Sequence, residues 1–294
     1  MQNQIFKYIA YFDIFDHPVK LNEIVSVFSS ETKESIKTIL LKLVDSGKCY
    51  EHEDYFSLKE NIEELTLRRS QKEALAKPYF KKLGFYSRLI KSFPFVEGIA
   101  ISGSLSKNVM HENGDIDFFI IASKGRLWIC RTFLVFFKKI FLFNSKKYFC
   151  VNYFVDTDNL KIQDENIFTA IELRYLLPVY NLTLIDELKK ANNWTNDYLP
   201  PFENPVKVKV YEGFSVLKKF SRFILKGKLG DKIDLYLMKF TFKKWEKKFS
   251  GFDARKFELT MRTNRGVSKH HPQDFQNKVL TAFEDRISKF ADSK

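Results

Sequence analysis

The chain has 294 residues, of which 45 % are hydrophobic and 16 % aromatic, with only 11 glycines and 8 prolines; this excludes a disordered or fibrous protein and gives length for two or three packed units without long flexible linkers. Three scattered cysteines, Cys49, Cys130 and Cys150, argue against a disulfide framework or a zinc site and point to a reducing, cytoplasmic compartment. The net charge of +13 is uneven, since residues 1–60 hold 7 basic and 10 acidic side chains and residues 201–294 hold 22 and 11, so attraction for polyanions is expected from the C-terminal third.

Residues 1–60 read as a winged helix-turn-helix. A helix is expected from Gln4 to Phe15, a break at Pro18 and a short helix from Leu21 to Phe28. Ser30 or Thr32 can cap a third helix, in which Ile36, Ile39, Leu40, Leu43 and Val44 recur at helical spacing. Gly47 ends it, and KCYEHEDYFSL alternates like a small hairpin. The module is net acidic, and its third helix mixes Lys33, Lys37 and Lys42 with Glu34 and Asp45; a packing or interaction role is expected ahead of DNA contact. The opening MQNQIFKYIAYFDIFD has no basic start followed by a long apolar core, so it does not read as a signal peptide. Residues 61–94 form one or two amphipathic connecting helices.

FVEGIAI (95–101) reads as a strand, and Ser102-Gly103-Ser104 as the turn leaving it for a short helix. Backbone N–H groups at such a helix start suit phosphate, glycine lets a ligand approach and a serine hydroxyl adds a donor. Asp115-Ile116-Asp117 opens the next apolar run. In a strand residues i and i+2 share a face, so the two carboxylates lie side by side and repel unless solvated or bridged by a divalent cation.

Gly103-Ser104, ten intervening residues and Asp115-Ile116-Asp117 in an apolar frame resemble the signature of the DNA polymerase β-like nucleotidyltransferase superfamily, over roughly residues 95–160. The resemblance implies an α/β (α+β) fold with a small mixed β-sheet core at 95–160. It also implies transfer of a nucleoside monophosphate from an NTP to a hydroxyl acceptor, with Mg²⁺ or Mn²⁺ as cofactor. Asp115 and Asp117 would be catalytic metal ligands, and Gly103 and Ser104 would hold phosphates. Lys107 would stand where many members carry arginine.

A long helix is expected from Arg126 to Phe143, too short and too interrupted by Lys138-Lys139 to span a bilayer, and no membrane partner is expected. A third strand follows from Lys147 to Val155. Its central polar residue is Asn152, where the resemblance calls for a third carboxylate; an amide can ligate a cation but cannot act as a general base. Asp156 and Asp158, just beyond, read mainly as solvated turn residues. The alternative function is therefore a nucleotide-sensing or nucleic-acid-binding regulator without turnover.

Residues 161–294 are expected to be a helical, basic C-terminal region. ENIFTAIELRYLLPVYN reads as a helix ended near Pro178, with Glu172 as a surface carboxylate or a hidden acid. Residues 206–249 read as mostly helical, with basic residues interleaved with aromatics either as an amphipathic bundle or as a contact for single-stranded nucleic acid. Arg262, Arg265, Lys269, His270 and His271 form a cationic cluster near Gly266, either solvated or reaching phosphate oxygens.

Overall fold

In the computed structural model, residues 1–211, 223–225 and 227–292 are described. The chain folds as α+β around a five-stranded mixed sheet. The N-terminal elements come in the expected order: α1 Gln2–Asp13, β1 Val19–Lys20, α2 Leu21–Val27, α3 Lys33–Asp45, then β2 Tyr50–His52 and β3 Tyr55–Ser57. Thr32 caps α3, its Oγ1 accepting from the Ser35 N–H at 3.1 Å. β1 adds to the hairpin, giving the order β1-β3-β2.

The hydrophobic core of these helices is not closed on itself. It takes in Ile167, Ile171 and Tyr175 from far along the chain, together with Leu199 and Val279. Tyr8 and Tyr175 are joined hydroxyl to hydroxyl. Residues 61–93 form one helix, α4 Ile62–Ser92, with Pro78 inside it. Arg69 on α4 is buried and pairs with Glu23 and Glu73, which ties the N-terminal helices to α4.

The larger sheet comprises β4 Val96–Ser102, β5 Asp117–Ala122, β6 Cys150–Asp156, β7 Leu177–Tyr180 and β8 Val267–Lys269, in the order β7-β4-β5-β6-β8. β5 and β6 are parallel, joined by a crossover through α5 Leu127–Phe141, and the other neighbours are antiparallel. Alternation sorts the strands' side chains. Ile99, Ile101, Phe118, Ile120 and Phe154 face α4, α5 and α8 (Lys228–Lys248), whereas Ala100, Phe119, Ile121 and Val155 face α7 (Leu182–Ala191). Fully burying one such large side chain contributes about 1.5–3 kcal/mol.

Two expected helices need correction. The helix expected to run to Pro178 is α6 Ile167–Arg174, after which Leu177–Tyr180 becomes edge strand β7. Proline is tolerated there because an edge residue needs to donate no ladder bond on its outer side. Residues 206–210 are not helical: they run on to Tyr211, which bridges to Tyr180. Lys218, Lys219, Arg222 and Lys226 of the basic, aromatic stretch lie outside the described residues. The remainder of the chain is α9 Ala254–Thr260, β8 and α10 Phe275–Asp292.

The expected cationic cluster is largely neutralised. Arg262 and Lys269 are buried on either side of Asp164, at 2.9 and 2.8 Å, and Arg265 pairs with Asp231. His270 lies against Trp245, and burial, then Arg131, lowers its pKa to about 3. Burial and Lys269 lower His271 to about 4. Both imidazoles are neutral near pH 7, and the segment closes β8 onto β6 rather than offering charge to a ligand.

Candidate active site

Ser102, Asp117 and Cys150 lie in one row across β4, β5 and β6. Strand β5 begins at Asp117, not at Asp115, yet the parity of the pair survives because Ile116 is locked. Its N–H donates to the Lys147 carbonyl at 3.0 Å, its carbonyl accepts from Cys150 at 3.2 Å, and its side chain is fully buried. With Ile116 pointing inward, Asp115 and Asp117 point to the other side. One ligand atom from each of Asp115, Asp117 and Cys150 falls within 4.8 Å of the others.

The Gly103 turn meets this cluster directly. Gly103 has φ +67, and a Cβ added there would sit 2.5 Å from Asp117 Oδ2. Only glycine satisfies both the left-handed backbone and the contact. The turn opens not a full helix but a single 3₁₀ turn, Leu105–Lys107, stopped by Asn108 in the left-handed conformation. A helix dipole is therefore a minor source of positive potential here. Ser104 is half-buried in the turn, its carbonyl accepting from the Lys107 and Val109 N–H groups.

The positive charge comes from Lys107, whose side chain is 10 % exposed. Its ammonium donates to Glu172 Oε1 at 2.8 Å and to the Gly103 carbonyl at 3.1 Å, and lies over the Tyr175 ring. Glu172 Oε2 in turn accepts from the Gly103 N–H at 3.0 Å. The two donors expected to meet a phosphate are thus already engaged by one carboxylate, and Glu172, which the sequence leaves as a surface carboxylate or a hidden acid, sits at the site. Lys107 and Asn108 also line an open cleft of about 250 Å³ shared with Lys20, Glu23, Glu73, Tyr175 and Asn204.

Asn152 is displaced from its expected role. The β5–β6 register slips between Phe118 and Phe119, so Phe118 pairs with Val151 and Phe119 with Tyr153. Asn152 sits at that bulge, its amide donating to Cys150 Sγ at 2.8 Å, and Cys150 is the residue paired with Asp117. Asp156 lies at the far end of the strand pair, buried opposite Ala122, accepting from the Asn159 amide and the Asp158 and Gly125 N–H groups. Asp158 pairs with exposed Lys124. Neither completes the site.

Burial, and then the neighbouring Asp115 carboxylate, raise the Asp117 pKa to about 8; Glu172 adds to the rise, while Cys150 and Lys107 oppose it. Burial and the same two aspartates push the Cys150 thiol well above its usual range, so it is protonated near pH 7. At neutral pH and without an ion, Asp117 is therefore largely protonated beside Asp115, with a protonated thiol and an amide next to them, and a cation bound there would have to displace the Asp117 proton. That set suits a hard divalent cation completing its shell with water and substrate oxygens. Comparison of the chain with protein-family models, with curated proteins and with solved structures gave no match.

Proposed function

We propose that the chain is a metal-dependent nucleotidyltransferase with a polymerase β-like core at residues 95–160, preceded by a winged helix-turn-helix at residues 1–60. The convergence of Asp115 and Asp117 beside the Gly103 turn carries this reading. Asp115 and Asp117 would hold Mg²⁺ or Mn²⁺, which when bound would offset their repulsion and the charge of a triphosphate. Gly103 would let the phosphates approach the backbone, Ser104 would donate a hydroxyl hydrogen bond to them, and Lys107 would balance their charge as a point cation. Asn152 would orient the Cys150 side of the site through its amide.

A second reading, a nucleotide-sensing regulator without turnover, has its own support. Cys150, not a carboxylate, pairs with Asp117, and Glu172 engages the Gly103 N–H and Lys107.

The purified chain incubated with labelled NTPs and Mn²⁺, alone and with RNA or cell extract, is expected to yield labelled product that Asp115→Asn abolishes. Tight NTP binding without product favours the sensor. If Asp115→Asn leaves metal and nucleotide binding unchanged, both readings fail.

A further inference from the structure

We infer that the end of α5 and the loop after it, residues 136–147, adsorb to an anionic lipid surface. The stretch FFKKIFLFNSKK holds four lysines and no acidic residue; Lys138 is buried, and Lys139, Lys146 and Lys147 are exposed. Phe136, Ile140, Phe141 and Phe143 in it are 59 %, 49 %, 63 % and 92 % exposed. Packing does not require this display, because Phe137 supplies the inward face, contacting Phe93 and Phe149 at ring-centroid distances of 5.3 and 5.8 Å. Phe143 and Asn144 both lie in the left-handed backbone region, φ 48° and 60°, and this sharp turn puts the Phe143 ring at a tip. An apolar set of this size on one helix end calls for a partner.

The charges around it select the partner. Lys139 faces Lys244 of α8 ammonium to ammonium, and that proximity, with a smaller contribution from burial, draws Lys139 below its usual pKa. The same half of α8 carries Lys243, Lys247 and Lys248 with Glu246 as its one acid. The acids of the other half are turned elsewhere. Asp231 pairs with Arg126 and Arg265, and Asp234 caps α5 by accepting from the Trp128 and Ile129 N–H groups at 2.8 and 3.0 Å. Lysines outnumbering the single acid Glu246 on this face match a surface of fixed negative charge.

Lipid phosphate fits better than nucleic-acid phosphate. The three exposed cations of the stretch, Lys139, Lys146 and Lys147, are lysines, point charges without the planar fork that reads phosphate pairs or stacks on bases. The exposed set includes aliphatic Ile140, which has no stacking face, and ends in a protruding tip suited to entering the headgroup layer. No described helix is long and apolar enough to cross a membrane, so the mode is adsorption. The Lys147 carbonyl accepts from Ile116, between the two aspartates, and adsorption therefore brings the carboxylate edge of the sheet close to the lipid. The inference does not depend on nucleotide chemistry.

Co-sedimentation of the full chain with phosphatidylcholine vesicles, with and without phosphatidylglycerol, tests it. Pelleting is expected with the anionic vesicles only and should weaken in high salt. Phe143→Ser, at a site too exposed to disturb folding, should weaken binding about fivefold, and Lys139→Glu with Lys146→Glu about tenfold or more. Absence of pelleting, or pelleting indifferent to Phe143→Ser, overturns the inference. So does binding of a single-stranded oligonucleotide, or a concentration-dependent dimer, that Phe143→Ser disrupts while vesicles do not pellet.

Discussion

Asp117 and Asp164 are both drawn out of water beside the same sheet, and the chain treats them in opposite ways. Asp164 sits between buried Lys269 and Arg262. Burial acts to raise its pKa, but the two cations outweigh that and hold the carboxyl below its usual range. Asp117 has a second carboxylate and a protonated thiol as neighbours, and its pKa rises to about 8. A buried acid with its counter-charge supplied is part of the scaffold; one whose counter-charge is withheld is a candidate for a functional site.

The largest effect should come from the scaffold acid. Asp164→Ala leaves buried Lys269 without a carboxylate and Arg262 with Glu258 alone, and a loss of about 3–5 kcal/mol is expected in chemical denaturation. Asp117→Asn should cost little stability without metal, because Asp117 is largely protonated near pH 7 and the amide matches that neutral form. If the two variants lose similar stability, the contrast drawn between them is wrong.

The pH dependence should separate them as well. A raised folded pKa means that Asp117 keeps its proton in the folded state, so its contribution worsens as pH climbs from its unfolded value near 4 to about 8 and is constant above. Stability relative to Asp117→Asn should fall across that window, and Mn²⁺ should flatten the fall. Asp164, with its pKa lowered, contributes above its unfolded value and loses that contribution as pH drops through its folded pKa. Melts of both variants against pH, with and without Mn²⁺, measure each slope.

The smallest effect concerns Glu172, which lies between the two cases: it is paired, but with groups that the site itself needs. Glu172→Gln removes a negative charge from the Gly103 turn and Lys107. An NTP is expected to bind several-fold more tightly, by about 1 kcal/mol, in a calorimetric titration. Weaker binding would instead make Glu172 a supporting ligand.

Local chemistry was readable from the chain. A cap at Ser30 or Thr32, a strand over FVEGIAI and the Asp115-Ile116-Asp117 parity each depend on a few adjacent residues, and the structure has Thr32 as the cap, β4 over Val96–Ser102 and the two aspartates on one side. What could not be read depends on distant partners or on register. Glu172 meets Gly103 across 69 residues, and Arg262 meets Asp164 across 98, so neither pairing leaves a trace in spacing. The one-residue slip between β5 and β6 sets Cys150, not Val151, opposite Asp117 and leaves Asn152 unpaired in the ladder at the bulge, and no composition signal announces a bulge. Pro178 read as a helix stop because its place on a sheet edge is visible only once β4 is beside it.

Helix α6 puts neighbouring residues into different surroundings: Ile171 is embedded with α1 in the N-terminal core, while Glu172 reaches the glycine turn. Because a short helix turns as one rigid rod, a shift of the N-terminal helices that carries α6 with them must also move that carboxylate. A displacement of α6 with the N-terminal core would thus carry the Glu172 carboxylate relative to the Gly103 turn.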